Sequence, residues 1–270
     1  MIKFCNLFSG STGNCTYIST ENTKILIDAG VSCAKISKSL GELDTNLDEI
    51  DAILITHEHT DHTKGLTTIA KKHHIPIYTA NKTWNNMTSL NIAETNKFCF
   101  TPNEKFEIGD FEIYPFSIPH DAADPCGFSI SAENKKITLA TDIGHLTKDI
   151  VSHMENSDIL LIESNYDTET LKCGSYPYFL KERILGEYGH LSNETASKAI
   201  AYLCKNGVNN IILGHLSKEN NFPELAYQTA INELNDAHLT CNLTVANRDC
   251  NDTLLTLWLI NTFKELSWWI

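Results

Sequence analysis

The sequence lacks paired cysteines, long apolar runs and all but two arginines. Its nine cysteines include no C-x-x-C pair, which argues against both a disulfide framework and a cysteine zinc knuckle. No apolar run approaches the roughly 18 residues of a membrane span, and no basic-then-apolar leader follows Met1. We therefore expect no membrane segment, no secretion signal, reduced cysteines and a cytoplasmic location.

The shortage of arginine also bears on what the protein can bind. Lysine and arginine together number 21 against 34 acidic residues, which gives a formal net charge of −13. Two arginines provide little of the bidentate phosphate binding that nucleic-acid-binding proteins favour. Composition alone therefore argues against a nucleic-acid partner. Eleven histidines beside fifteen aspartates point to a bound metal, which would supply positive charge at one place.

The pattern along the chain is that of a layered α/β protein. The 270 residues contain no internal repeat, low-complexity run or linker, so we predict a single domain over 1–270. Apolar runs of strand length recur at about 3–8, 15–19, 24–28, 51–56, 159–162 and 210–214. Amphipathic helices are predicted over about 63–74 and from an N-cap at Ser192 to Gly207.

One stretch of six residues holds four side chains that can bind metal. It reads His57-Glu-His-Thr-Asp-His62 and directly follows a predicted buried strand. In an extended segment alternate residues face the same way, so His57 and His59 can bind one ion. Asp61 and His62, beyond the bend, can then reach a second ion. A single loop can therefore contribute to two metal sites.

Three more apolar strands each end at a residue that can bind metal. These residues are His120, Asp142 and His215. Strand ends in a layered α/β protein gather at one edge of the sheet, where polar sites are normally built. We therefore expect seven ligand-type residues to meet there, with one carboxylate bridging two ions.

Eight short motifs carry a resemblance over about residues 1–230, with 240–270 divergent. They are Ser9-Gly-Ser-Thr-Gly-Asn-Cys15, Leu26-Ile-Asp-Ala-Gly30, Thr56 to Gly65, His120-Asp-Ala-Ala, Ala140-Thr-Asp-Ile-Gly144, Glu163-Ser-Asn165, Gly189-His-Leu-Ser-Asn193 and Gly214-His-Leu-Ser-Lys-Glu-Asn220. With these motifs the chain resembles the metallo-β-lactamase fold superfamily of hydrolases, and within it the YycJ/WalJ-type branch. The resemblance implies an α/β fold, also classed as α+β, in the form of a four-layer αββα sandwich. It further implies two divalent ions, zinc or manganese, at one edge.

The resemblance implies a role for each candidate ligand. One ion is held by His57, His59 and His120, the other by Asp61, His62 and His215, and Asp142 bridges them. Asp61 would also position the attacking water, which makes it a catalytic residue. Asp28 would orient the metal loop without binding metal.

His190 is similar in position to a histidine of the superfamily's phosphodiesterases, such as the tRNA 3′-processing endonuclease. It precedes the helix that Ser192 caps and lies 25 residues before His215. As a general acid it would protonate a leaving alkoxide. A further metal ligand and a structural cap are the alternatives for this residue.

Four further residues are candidate substrate contacts: Ser11, Asn165, Lys181 and Arg183. For Lys181 and Arg183 a solvated, charged helix face is the alternative.

The resemblance implies an exonuclease-like phosphodiesterase that acts on DNA through a metal-bridging hydroxide. The same hydroxide can attack a thioester or a lactone, so a hydrolase of that kind is one alternative. A metal-bearing regulatory or accessory protein is the other.

The C-terminal stretch keeps the accessory alternative open because it is crowded with apolar residues. These are Leu254, Leu255, Leu257, Trp258, Ile260, Phe263, Leu266, Trp268, Trp269 and Ile270. We expect the stretch to close the fold, and a contact with a protein partner or a second copy is the alternative.

Overall fold

The structure is a computed structural model that describes residues 1–258. Its strands are β1 (Ile2–Phe8), β2 (Cys15–Ser19), β3 (Lys24–Ile27), β4 (Ala52–Leu54), β5 (Ile77–Ala80), β6 (Lys97–Phe100), β7 (Phe106–Ile108), β8 (Phe111–Ser117), β9 (Cys126–Ala132), β10 (Lys135–Ala140), β11 (Ile159–Glu163), β12 (Asn210–Gly214), β13 (Asn242–Val245) and β14 (Leu255–Leu257). Its helices are α1 (Cys33–Gly41), α2 (Thr60–Thr63), α3 (Leu66–His73), α4 (Asn81–Asn86), α5 (Lys148–Met154), α6 (Thr168–Cys173), α7 (Tyr178–Leu185), α8 (Asn193–Lys205) and α9 (Pro223–Asp236). None of these helices is long and apolar enough to cross a membrane.

The strands of the described residues form two seven-stranded sheets. The order is β14-β1-β2-β3-β4-β5-β6 in the first sheet and β13-β12-β11-β10-β9-β8-β7 in the second. In the first sheet the pairs from β14 to β3 are antiparallel and those from β3 to β6 are parallel. In the second sheet the pairs from β7 to β10 are antiparallel and those from β10 to β13 are parallel. The parallel halves therefore present the carboxyl ends of several strands on one side of the molecule, where polar sites are commonly built.

Three apolar layers separate four layers of secondary structure. In β4, Ala52 and Leu54 face the core between the sheets, while Ile53 and Ile55 face the core under α1 and α3. The second sheet repeats this arrangement, and its outer face packs against α5, α8 and α9. Because both faces of these strands are buried, they are continuously apolar in sequence. The predicted αββα sandwich is confirmed.

The local predictions differ from the structure mainly at element ends. Ser192 caps α8 by accepting a hydrogen bond from the backbone of Thr195, as predicted. The helix predicted over 63–74 is α3, which begins after a turn at Gly65, and a separate short helix, α2, precedes that turn. This break matters at the metal centre, since α2 carries two of the predicted ligands.

The first part of the apolar C-terminal stretch forms an edge strand of the first sheet. Strand β14 pairs antiparallel with β1, with Ile2 opposite Leu257. Leu254, Leu255 and Leu257 pack against the cores, and Trp258 is exposed. Ile260, Phe263, Leu266, Trp268, Trp269 and Ile270 lie outside the described residues, so the expectation for them and the single domain over 1–270 stay predictions.

Candidate metal centre

Residues one or two positions after parallel strands converge on one side of the molecule. Asp28, Asp142 and His215 follow β3, β10 and β12, and their φ angles are 62°, 60° and 55°. This left-handed region is uncommon for residues other than glycine. Such backbone conformations concentrate at functional sites, where the surrounding structure holds them in place.

Three imidazole nitrogens define the first half of the centre. His59 Nδ1 lies 3.0 Å from His57 Nε2 and 3.3 Å from His120 Nε2. Metal–nitrogen bonds of about 2.0–2.1 Å in a tetrahedral site place neighbouring ligand atoms about 3.3 Å apart. The spacing of these nitrogens therefore fits one small divalent ion.

The outer nitrogens of two of these rings are engaged elsewhere. His57 Nδ1 lies 3.0 Å from Thr56 Oγ1, and His120 Nδ1 lies 3.2 Å from the carbonyl oxygen of Gly189. The carbonyl can only accept, so His120 donates from Nδ1 and keeps a lone pair at Nε2. Partners of this kind fix the tautomer and orientation of metal-binding histidines.

A second set of side chains surrounds a neighbouring point. Asp61 Oδ2 lies 3.6 Å from both His62 Nε2 and His215 Nε2. Asp142 lies between the two sets, with Oδ2 3.4 Å from His62 Nε2 and Oδ1 3.7 Å from His120 Nε2. The structure thus brings together all seven side chains that the sequence analysis named.

Two buried atoms of this cluster have no hydrogen-bond partner among the described residues. They are Asp142 Oδ2 and His215 Nε2. A buried polar atom without a partner costs roughly 1–3 kcal/mol, and more when it is charged. A cation between the two sets would satisfy both atoms. The side chains present therefore fit a pair of divalent ions.

The ionisation of the cluster also favours cations. Burial and the surrounding imidazoles lower the pKa of His57 well below its usual value, so this ring is neutral. Burial opposes the charge of His62 as well, but Asp28, Asp142 and Asp61 outweigh it and raise the pKa of His62 to about 9. A metal ion bound here would displace that proton.

The bend predicted between His59 and Asp61 is the start of a short helix. Both residues lie in α2, which begins directly after His59. The helix is held in place because Asn14 N donates to the carbonyl oxygen of Asp61 at 2.8 Å. A Cβ atom on Gly30 would lie 1.6 Å from that oxygen, so only glycine permits this approach.

Asp28 has the contacts expected of a residue that orients the loop. Its carboxylate accepts from the backbone N–H of Thr56 at 2.9 Å and lies 2.8 Å from His62 Nδ1. These contacts turn His62 Nε2 toward the centre. A role for Asp28 beside the metal ligands is consistent with them and stays a prediction.

Glu163 is a site residue that the sequence analysis missed. It ends β11 and is fully buried, and its Oε1 lies 2.8 Å from His190 Nδ1 and 2.9 Å from His215 Nδ1. Its Oε2 accepts from two backbone N–H groups, those of Ile143 and Leu191, at 2.9 Å. Burial opposes its ionisation, but His190 and His215 hold the pKa of Glu163 well below its usual range.

A second missed residue, Asp121, connects the centre to α7. Its Oδ1 lies 3.4 Å from His120 Nε2, and its Oδ2 accepts from Arg183 Nε. Asp121 follows a predicted ligand directly, which is the signal that the sequence offered. Burial opposes the ionisation of Asp121, but Arg183 and His120 keep its pKa below the usual value.

Three of the four predicted substrate contacts line a cleft beside the metal centre, and Lys181 does not. Ser11, Asn165, Arg183 and His190 line one cleft beside the centre. The amide of Asn165 donates to the backbone carbonyl of His215 at 2.7 Å. Lys181 donates to the carbonyl oxygens of Lys172 and Gly174, both at 2.7 Å, so its ammonium group anchors the backbone. The contacts of these residues with a substrate stay predictions.

The sequence and fold are similar to those of known proteins. A model of the β-lactamase superfamily domain matches residues 23–215. Exodeoxyribonuclease WalJ of Streptococcus pneumoniae serotype 2 is 40% identical over 241 residues, which cover 88% of this chain and 90% of that protein. Exodeoxyribonuclease YycJ of Bacillus anthracis is 39% identical over 227 residues, which cover 83% and 86%. The metallo-β-lactamase fold protein YhfI of Bacillus subtilis superposes with a TM-score of 0.69 at 16% identity, covering 93% of this chain and 98% of that one.

Proposed function

The chain belongs to the metallo-β-lactamase superfamily of hydrolases, and from this premise we propose that it is a DNA exonuclease dependent on two divalent ions. The observation that carries the proposal is that two sets of ligand atoms lie on either side of Asp142, and that Asp142 Oδ2 and His215 Nε2 are buried without partners among the described residues. Zinc and manganese both suit histidine and carboxylate ligands. Two such ions, when bound, would supply a water of lowered pKa and positive charge for the phosphate.

Asp61 is the acidic residue best placed to orient the attacking water. Its side chain is 24% exposed, whereas that of Asp142 is 3% exposed. Burial opposes the ionisation of Asp61, but His62 and His215 hold its pKa well below the usual range. An ionised carboxylate that reaches both ligand rings and solvent can accept a hydrogen bond from the water and align it with the phosphorus.

His190 is proposed to protonate the leaving oxygen. Because Nδ1 is engaged by Glu163, Nε2 is the nitrogen left to face the cleft that His190 lines. The carboxylate at Nδ1 orients the ring toward the cleft, as in other carboxylate–histidine pairs. The alkoxide that leaves when DNA is cut is a poor leaving group, so a proton donor at this place suits a phosphodiester.

The identity of DNA as substrate rests on the relatives, both of which are named exodeoxyribonucleases. The net charge of −13 does not oppose this proposal, because the metal centre itself would attract the phosphate. The cytoplasmic location expected from the sequence stays a prediction that agrees with such a substrate.

The test compares end-labelled linear DNA, closed circular DNA, RNA, a thioester and a lactone with manganese- or zinc-loaded protein. We expect linear DNA to be shortened stepwise from an end and closed circular DNA to survive. Asp61→Ala, purified in the same way, controls for a contaminating nuclease. Hydrolysis of the thioester or lactone without cleavage of DNA would overturn the proposal, and so would cutting of the closed circle.

A further inference from the structure

The cleft beside the metal centre is lined by more residues than the proposed chemistry uses. Tyr176, Leu180 and Ile184 belong to its lining and have no role in that chemistry. We propose that the cleft holds the base of one terminal nucleotide against Tyr176 while the phosphate to be cut lies at the metal centre. The inference rests on the proposed function and names the part of the DNA that the cleft recognises.

Contacts with the metal ligands fix the position of the cleft. His190 lines it and shares the carboxylate of Glu163 with His215, at 2.8 and 2.9 Å. Gly189 also lines it, and the carbonyl oxygen of Gly189 accepts from His120 Nδ1 at 3.2 Å. The cleft therefore borders both sets of ligands. A nucleotide held in it has its neighbouring phosphate beside the centre.

The lining of the cleft combines apolar and polar side chains. Tyr176, Leu180 and Ile184 are half-buried, so part of their apolar surface is free to meet a ligand. Asn165 and Ser217 are buried polar residues of the same lining. Ligand sites typically combine apolar walls with a few placed polar groups. A nucleoside has the same division, since the faces of its base are flat and apolar and its sugar carries oxygen atoms.

The size of the cleft limits its occupant to one base. Its volume is about 150 Å³. An apolar cavity of about 150 Å³ holds a single benzene ring, so two stacked bases do not fit. Because the next base along the strand must stay outside, the cleft presents one nucleotide to the metal centre at a time.

Charge indicates that a base enters the cleft and that the phosphate does not. Arg183 is the cationic side chain of the lining, and it pairs with Asp121 of the same lining. Among the described residues the cleft therefore has no lysine or arginine that lacks a carboxylate partner. The phosphate is attracted instead to the metal centre. A neutral base stacks on an aromatic ring without needing positive charge, whatever the identity of the base.

The place of His190 in the same lining identifies the leaving group. His190 is proposed to protonate the oxygen that leaves, so this oxygen belongs to the nucleotide in the cleft. In each turnover the oxygen of water bonds to phosphorus, the bond from phosphorus to the leaving oxygen breaks, and that oxygen takes the proton of His190. The proton that the water loses passes to solvent, from which His190 is protonated again. The strand becomes one nucleotide shorter.

The test compares DNA ends that differ by one base. Manganese-loaded protein cleaves a labelled oligonucleotide, either normal or with an abasic residue at the end that the wild type degrades, and release of the first nucleotide is followed. We expect Tyr176→Ala to raise KM for the normal end about 10- to 100-fold, because stacking on an aromatic ring contributes that much to binding a base. The kcat should stay within about twofold. For the abasic end, Tyr176→Ala and wild type should have the same KM.

Matched variants separate stacking from damage to the fold. Tyr176→Phe keeps the ring and should behave like the wild type. Tyr178→Ala removes a tyrosine that is 77% exposed and lies outside the lining, so it should change neither constant. Leu180→Trp fills the cleft from α7 and should raise KM more for the normal end than for the abasic end. Metal content and circular dichroism should match the wild type in every variant.

Two results would overturn the proposal. If Tyr176→Ala raised KM equally for normal and abasic ends, or for neither, no base would be held against Tyr176. If the wild type released mainly dinucleotides at first, the cleft would hold more than one base. The proposed exonuclease activity would survive both results, since shortening of linear DNA tests it separately. Wild-type protein that cleaves no linear DNA would overturn both proposals.

Discussion

The metal centre and helix α7 border the same cleft, but the first is buried and the second carries strongly exposed side chains. The side chains of His62, His215 and Asp142 are 0%, 2% and 3% exposed, while Tyr178 and Phe179 are 77% and 72% exposed. Histidines of the centre are held from behind by further polar groups, such as Glu163 for His215. Helix α7 is instead held by charged side chains, with Lys181 on two backbone carbonyl oxygens and Arg183 on Asp121.

This difference corresponds to two physical requirements. Reacting groups must be held within a few tenths of an ångström, which demands rotamers locked by packing and outer hydrogen bonds. Substrate contacts away from the reacting atoms need accessible side chains instead. Changes in the centre should therefore alter metal content and kcat, and changes on the face of α7 that lines the cleft should alter KM. The following predictions test this separation, from the largest expected effect to the smallest.

Removing the water-orienting carboxylate should have the largest effect. We expect Asp61→Ala to reduce cleavage of DNA by about 10³-fold or more, because it removes a metal ligand and the group that aligns the attacking water. The fold should remain, since the side chain contributes little to any apolar core. Initial rates, metal content and circular dichroism measure the three quantities. Near-normal turnover with unchanged metal content would remove Asp61 from the mechanism.

Replacing the proposed acid should separate two substrates. His190→Ala should slow the cleavage of DNA by about 10²- to 10⁴-fold and largely spare an activated aryl phosphodiester, whose nitrophenolate leaves without a proton. Metal content should not change, because His215 is the proposed ligand. Rates on both substrates and elemental analysis provide the measurement. Equal loss on both, together with loss of one ion, would show instead that His190 is a ligand.

Changing the residue behind the two histidines should have an intermediate effect. Glu163→Gln keeps the size of the side chain but places an amide where His190, His215 and two backbone N–H groups all donate. We expect metal affinity to fall about 10- to 100-fold for the ion beside His215, with the other ion less affected. Competition with a chelator measures both affinities. Equal weakening of the two ions would assign Glu163 to general stability.

A half-buried carboxylate remote from the metal ligands should give the smallest effect. Burial raises the pKa of Asp252 from 3.8 to about 6, and its Oδ2 has no partner among the described residues. A raised folded-state pKa means that the native protein binds this proton more tightly than the unfolded chain. The contribution of this group to the free energy of unfolding is thus present below about pH 4 and is lost as the pH rises through 6.

Asp252→Asn should remove this dependence. The free energy of unfolding of the variant relative to wild type should rise by about 1–2 kcal/mol between pH 4 and pH 7 and stay level above that. Chemical denaturation of metal-free protein at several pH values measures the difference. A difference that is constant over this range would show that Asp252 titrates normally. The carboxylates of the centre differ from Asp252 because cationic partners surround them.

Much of the metal centre could be predicted because its ligands leave a local signal. The stretch from His57 to His62 is contiguous, and His120, Asp142 and His215 each follow an apolar run. Strand order was the missing information. Glu163 also ends an apolar run, but its importance depends on β11 lying between β10 and β12, which places it between Asp142 and His215.

The helix α7 could not be predicted for a related reason. Its sequence from Tyr178 to Leu185 lacks a clear apolar stripe, because no face of it is buried. Lys181 reads as a solvated charge in sequence, and its two carbonyl partners become visible only when α6 and α7 are placed together. The strand β14 was likewise recognisable only as apolar, since pairing with β1 joins the two ends of the described chain.

The number of ions bound per chain tests the central claim most directly. Metal-free protein titrated with manganese or zinc and analysed by native mass spectrometry and elemental analysis should bind two ions, because one ion would leave buried ligands of the other set without a partner. Asp142→Ala, which removes the shared carboxylate, should weaken the binding of both. Saturation of carefully loaded wild-type protein at one ion would contradict the paired centre and the bridging role of Asp142.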